Sequence, residues 1–195
     1  MRRLLLIAAS VMGLLPAAMV MPASAESPIE FVLNNGGYNK DARKVSVPTI
    51  PREIVDYETR EAPGTIVIDS PQRRLYLVLG DGKALRYGVG VGRPGFEWGG
   101  IKAVTRKAEW PDWTPPPQML QRRPDLPRFM PGGPNNPLGA RAMYLGSSLY
   151  RIHGSNEPQT IGQAVSSGCI RMTNEDVTDL YDRVRVGAKV VVVRG

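Results

Sequence analysis

His153 is the only histidine and Cys169 the only cysteine in 195 residues, and they stand sixteen positions apart in the stretch RIHGSNEPQTIGQAVSSGCIRM, residues 151–172. A lone Cys is ordinarily a small buried hydrophobe, and a lone His a satisfied polar group. The neighbours here favour chemistry instead: Ser166, Ser167 and Gly168 precede the thiol and Arg171 follows it, a polar and tightly turning environment. A thiol with an ordinary pKa of about 8.5 is mostly neutral at neutral pH, and an imidazole within reach can take its proton to leave a nucleophilic thiolate beside an imidazolium. With one imidazole in the chain, the base is His153. No acid is obvious as the group that orients its ring, because Glu157 falls on the intervening loop, so a backbone carbonyl next to His153 is expected in that role. The consecutive N–H groups of Ser167, Gly168 and Cys169 are expected to form an oxyanion hole, with Gly168 keeping space open for the electrophile. This assignment calls for no metal and no cofactor.

Such a pair has to be positioned by rigid elements. Residues 151–153 read as a strand end and residues 166–169 as a turn, joined by a surface loop over 156–164. Thr173-Asn174-Glu175-Asp176 offers a capping-box start, and Val177, Leu180, Tyr181 and Val184 follow at helical spacing, so a helix begins four residues after Cys169. Upstream, residues 65–69, 74–79, 85–91, 101–107, 141–145 and 149–153, and downstream 189–193, read as short strands, with a hairpin turn at Gly80-Asp81-Gly82. The gaps between them are too short for crossover helices, which favours antiparallel pairing in a sandwich or barrel. Residues 110–137 hold nine of the chain's 18 prolines and two of its three tryptophans, Trp110 and Trp113. That composition predicts an ordered, proline-stiffened lid that walls a cleft near His153.

The beginning of the chain indicates where this chemistry operates. Met1-Arg2-Arg3, an apolar run to about Val20 and Ala23-Ser24-Ala25 follow the order of a secretory signal, cut after Ala25, with an uncleaved anchor as the alternative. Residues 26–60 are polar and weakly periodic and read as a leader or linker, with a few residues laid along the domain surface. Residues 61–195 are then a single domain. In an oxidising exported compartment a solitary Cys has no partner for an internal disulfide, so its thiol is either inert or kept for reactivity. Without Arg2 and Arg3 the formal charge of +7 becomes +5, scattered among acids. There is no basic block or aromatic-basic groove for nucleic acid, and no later segment is apolar for long enough to span a bilayer.

HGSN, then IGQAVSSGCIRM, the acid-capped helix and VGAKVVV resemble the catalytic core of the L,D-transpeptidases, the YkuD-type domain, and PGTIVID, the Trp-Pro-Pro stretch and NPLGARAMYLG resemble its earlier parts. The resemblance covers roughly residues 60–195. It implies a mainly β fold with Cys169 as nucleophile, His153 as base and the Gly154 carbonyl orienting the ring. The implied reaction is periplasmic: Cys169 attacks a peptidoglycan tetrapeptide stem after its third residue, usually diaminopimelate, expels D-alanine and passes the acyl group to an amine. That amine belongs to a second stem peptide, or to an outer-membrane protein or lipoprotein. The resemblance further implies acylation by carbapenems, and it gives Arg171 the task of fixing the turn or binding a substrate carboxylate, against a plain salt bridge to Glu175 or Asp176. Trp110 and Trp113 join Arg171 as expected substrate-binding residues. The family most often has a second His just before the glycine, where this chain has Ser167. A sortase-like enzyme would place its Cys much further from the His, and a papain-like one would reverse their order. A cell-wall hydrolase or carboxypeptidase built on the same site, and a non-catalytic peptidoglycan-binding module, remain the alternatives.

Overall fold

The computed structural model describes residues 50–194; the expected signal segment 1–25 and the stretch 26–49 lie outside the described residues. Among the described residues there are eleven strands: β1 (Glu53–Asp56), β2 (Ile66–Asp69), β3 (Arg74–Gly80), β4 (Lys83–Gly88), β5 (Val91–Gly92), β6 (Gly100–Glu109), β7 (Arg141–Leu145), β8 (Arg151–His153), β9 (Ala164–Ser166), β10 (Ile170–Arg171) and β11 (Lys189–Val193). Two helices accompany them, α1 (Pro117–Arg122) and α2 (Asn174–Arg183). The fold is mainly β, as expected, and α2 follows Cys169.

Nine strands hydrogen-bond in the order β1-β4-β3-β2-β11-β6-β7-β8-β10, and β5 pairs separately with β9. The ten-residue β6 joins two halves of this array: residues 100–103 pair with β11, and residues 104–109 pair with β7 after a register shift between Val104 and Arg106. A bulge bends a strand and raises its twist, which lets β6 pass from one sheet layer into the next and fold the array over a shared core. That core gathers Ile66, Ile68, Leu75, Tyr87, Val104, Met143, Leu145, Ile152, Ile170 and Met172 with Val177 and Leu180 of α2. β2 is buried on both faces, because Val67 packs with Tyr76, Val78 and Ala84 in a second cluster roofed by Val55 and Tyr57. This explains its unbroken apolar run.

Three differences from the sequence reading stand out. Three pairings are parallel, β2–β11, β8–β10 and β5–β9, joining strands that are not neighbours in sequence; the short connections constrained only consecutive strands. The strand expected over 85–91 breaks at Val89–Gly90, where Gly90 leaves β4 to exchange both backbone hydrogen bonds with Arg171. Finally, the sheet begins inside the expected linker. β1 pairs with β4, Tyr57 stacks on Tyr76 at 4.5 Å, and Arg52 reaches Asp176 at 3.6 Å and Asp179 at 3.5 Å on α2.

The helix is fastened at both ends. Thr173 caps its start by accepting from Asp176 N–H at 3.0 Å, and Lys107 of β6 donates to the carbonyls of Tyr181 and Val184 at 2.5 and 2.7 Å, where the helix dipole favours a cation. The lid segment is ordered, with α1 inside it. It closes on itself through the Trp113–Met130 backbone bridge and through Asp112, which accepts from Gly132 N–H at 2.8 Å.

Candidate active site

The parallel register of β8 and β10 sets Ile152 against Ile170 and His153 against Arg171. Both isoleucines are buried in the core. Side chains alternate faces along a strand, so Arg151, His153, Cys169 and Arg171 share the opposite face, with Cys169 one residue ahead of β10 and diagonal to His153. Met172 N–H donates to the His153 carbonyl at 2.8 Å and locks that register. The sixteen-residue separation is thus closed by pairing two short strands, with a 3-10 turn at Pro158–Thr160 in the loop between them.

His153 is 4% exposed, and its Nδ1 lies 2.6 Å from the Gly154 carbonyl oxygen. A carbonyl can only accept, so Nδ1 carries the proton and Nε2 is left with its lone pair. Gly154 is placed by α2: Asn174 Oδ1 accepts from Ala140 N–H at 2.9 Å and Ser155 N–H at 3.3 Å, and a side chain on Gly154 would collide with that same oxygen. Burial, reinforced by the Arg171 and Arg151 guanidiniums, pulls the His153 pKa from 6.5 down to about 3. Burial pushes the Cys169 thiol up, with Arg151 and Arg171 pulling against it. Both shifts favour the neutral forms, thiol and imidazole, over the thiolate–imidazolium pair that the sequence suggested. The Sγ–H donates to the Leu149 carbonyl at 3.7 Å; no hydrogen bond between Sγ and the imidazole is found among the described residues.

The turn bearing Cys169 is held by contacts that the sequence did not show. Ser166, 2% exposed, donates to the Cys169 carbonyl at 2.6 Å and accepts from Gly168 N–H at 3.0 Å. Gly168 N–H is therefore spent, which removes it from the expected oxyanion hole; the N–H groups of Ser167 and Cys169 donate to no acceptor among the described residues. Gly168 has φ +104, and a Cβ there would meet Tyr150 Cε1 at 2.5 Å. The glycine is required by its backbone and by Tyr150, a different reason from an unhindered electrophile. Tyr150 stacks on Trp98 with centroids 4.4 Å apart, and Trp98 Nε1–H donates to the Gly168 carbonyl at 2.7 Å. Only their aromatic character could have flagged these two, since neither lies in a motif.

Arg171 pairs with Glu157 at 2.9 Å, tying β10 to the intervening loop, while the α2 acids Glu175 and Asp176 go to Arg52. Trp110 is 44% exposed and bonds through its N–H to the Ala140 carbonyl; Trp113 is bridged to Met130. From the segment 110–137, the Arg122 guanidinium of α1 lies 5.2 Å from the Phe96 ring centroid. Phe96 in turn has its carbonyl beside Gly168.

Residues 63–192 match the family model of the L,D-transpeptidase catalytic domain, YkuD. The chain belongs to this family. Among curated relatives, a probable L,D-transpeptidase, ErfK/SrfK, of Escherichia coli strain K12 is 38% identical over 154 residues, covering 74% of this chain and 48% of its own length. The chain therefore spans about half the length of the curated relatives it matches most extensively. A solved Brucella melitensis structure, described as a probable carnitine operon oxidoreductase, is 47% identical and covers 75% of this chain and 95% of its own, with a TM-score of 0.51. An L,D-transpeptidase from Mycobacterium smegmatis shares the fold at 17% identity and a TM-score of 0.54, covering 67% of this chain and 58% of its own. Within this family fold, the motif residues His153, Gly154, Gly168 and Cys169 fall on the matched segment.

Proposed function

We propose that this protein is an exported peptidoglycan L,D-transpeptidase that uses Cys169 as its nucleophile. The observation that carries the reading is the register of β8 against β10, which sets His153 and Cys169 on one face while Gly154 leaves the imidazole's Nε2 unprotonated. The tetrapeptide stem binds with the carbonyl of its third residue over the Ser167–Cys169 turn. The thiol leaves the Leu149 carbonyl, gives its proton to Nε2 and adds to that carbonyl carbon. The oxyanion takes the free N–H groups of Ser167 and Cys169. Collapse breaks the C–N bond, and the proton on Nε2 passes to the departing D-alanine amine, leaving a thioester on Cys169. An acceptor amine then gives its proton to Nε2, attacks the thioester and restores the thiol. Arg171, locked to Glu157, holds the turn, and Trp110 and Trp113 stiffen the lid that shields the thioester from water.

The shifts toward the neutral thiol and imidazole suit this sequence, in which the proton leaves the thiol as the electrophile arrives. A purely binding module would have no use for an imidazole whose Nδ1 is committed to a backbone carbonyl on the same face as a free thiol. Incubation of the purified protein with disaccharide-tetrapeptide, followed by mass spectrometry, tests the reading. Dimers lacking one D-alanine are expected. Shortened monomers alone would reassign the enzyme as a carboxypeptidase, and unchanged tetrapeptide would overturn the proposal.

A further inference from the structure

The stretch Arg93-Pro94-Gly95-Phe96 lies beside the nucleophile turn and plays no part in the chemistry above. It is a tight turn with Pro at the second position, Gly95 at φ +82 in the third, and Phe96 N–H donating to the Arg93 carbonyl at 2.8 Å. Arg93 N–H donates to the Ser166 carbonyl at 3.0 Å, so the start of this turn is anchored on the strand that leads to Cys169. The turn folds Phe96 back under its own neighbour: the Arg93 guanidinium lies 4.1 Å from the Phe96 ring centroid, and its Nη1 donates to Ser167 Oγ at 3.2 Å. Arg122 of the lid reaches the same ring. Neither arginine forms an ion pair among the described residues, whereas Arg171 is occupied by Glu157. Two guanidiniums near one ring concentrate positive charge there, which favours an anion nearby. A planar guanidinium fixed by stacking and one hydrogen bond still has donors left for a carboxylate.

We propose that Arg93, held on Phe96 beside Ser167 and assisted by Arg122, is the subsite for a free carboxylate of the donor peptide. The inference rests on the transpeptidase reading and names the group that sets its specificity. The carboxylate of the departing residue is the nearest by covalent geometry, standing within about 4 Å of the attacked carbonyl carbon. The side-chain carboxylate of diaminopimelate offers the same chemistry from the other side of the scissile bond.

The test measures binding in a background that cannot turn over. Calorimetric titration of disaccharide-tetrapeptide into Cys169→Ala is compared with the same titration into Cys169→Ala carrying Arg93→Ala, Arg93→Lys or Arg122→Ala. Three peptides are used: unmodified, amidated on the terminal D-alanine, and amidated on the diaminopimelate side chain. Loss of a charge-assisted hydrogen bond corresponds to an affinity loss of about tenfold or more, which we expect for Arg93→Ala with the unmodified peptide. Arg93→Lys should lose less, and Arg122→Ala a smaller factor. One amidated peptide should already bind the Arg93-containing protein as weakly and lose nothing further on Arg93→Ala, which identifies the carboxylate. In the turnover enzyme the same substitution should raise KM with kcat nearly unchanged. An equal affinity loss for all three peptides, or none for any, overturns the subsite. If the wild type converts no tetrapeptide while binding still depends on Arg93 and one carboxylate, the subsite stands and the transpeptidase reading falls.

Discussion

At His153 the two ring nitrogens have separate duties, and the structure divides them with one carbonyl. Nδ1–H is committed to Gly154, so Nε2 is the only atom in the described residues able to act as an imidazole base toward Cys169. Cys169→Ala should therefore reduce product formation to background, and His153→Ala should reduce kcat by about 10²–10⁴-fold, both read by mass spectrometry of the peptide products. A carbapenem should add its mass to the wild type and not to Cys169→Ala; intact-mass spectra without the adduct, on a reduced thiol, would count against the acyl-transfer mechanism. The pH dependence of stability follows from the depressed imidazole. Unfolded His153 titrates at 6.5 but the folded residue only at about 3, so between these values the unfolded chain binds the extra proton. The contribution of the neutral, buried imidazole is thus fully present above about pH 6.5 and is lost as pH falls toward 3. Urea unfolding at pH 7, 5 and 4 should show a decline that is shallower in His153→Gln, whose side chain does not titrate. Parallel declines in the two proteins would place the acid sensitivity elsewhere.

Among the elements, α2 and the Cys169 turn carry the site's geometry. Asn174 of α2 joins Ala140 and Ser155 through one side-chain oxygen and so fixes the loop that presents Gly154 to His153. Asn174→Ala leaves two backbone N–H groups without their acceptor and should cost about 1–3 kcal/mol in urea unfolding, with a fall in kcat as the ring loses its fixed orientation. Gly168→Ala should be destabilising by about 1–3 kcal/mol, because alanine must adopt φ +104 and Tyr150 must move from its stack on Trp98. Unaltered stability in Gly168→Ala would show that the turn has more freedom than its contacts allow.

For the whole molecule, the boundary at residue 61 omits a strand that the sheet uses. Residues 50–60 supply β1, the Tyr57 stack and the Arg52 contacts to α2. They also roof the apolar cluster of Val67, Tyr76, Val78 and Ala84. A chain starting at residue 61 exposes this face and the edge of β4, and should melt roughly 5–10 °C below one starting at residue 50. Equal melting temperatures would assign residues 50–60 to decoration. The same continuity joins the two layers through β6, so the loss of the β1 edge should lower the unfolding midpoint of the domain as a single transition.

The sequence by itself determined the candidate pair, the helix and most of the strands. Uniqueness of His153 and Cys169 left no competing assignment, the Thr173 cap with its helical apolar spacing located α2, and β-branched runs such as Lys189–Val193 located their strands to within a residue or two. These signals are local, set by side-chain type and period. The tertiary structure decided what depends on partners distant in sequence. Only the pairing of β8 with β10 puts His153 and Cys169 on one face; only the Ser166 hydroxyl takes up the Gly168 N–H that the sequence reading had assigned to an oxyanion hole; only the loop fold gives Arg171 to Glu157. β1, β5, β9 and β10 were missed because, unlike the equally short β2 and β8, they lie in polar or glycine-containing stretches and are extended because a neighbour supplies hydrogen bonds. Arg93 and Phe96 were missed because a turn carries no sign of what it lies against. The direction of the site's pKa shifts was illegible for the same reason: a pKa is fixed by burial and by charges brought near in space, and sequence distance measures neither.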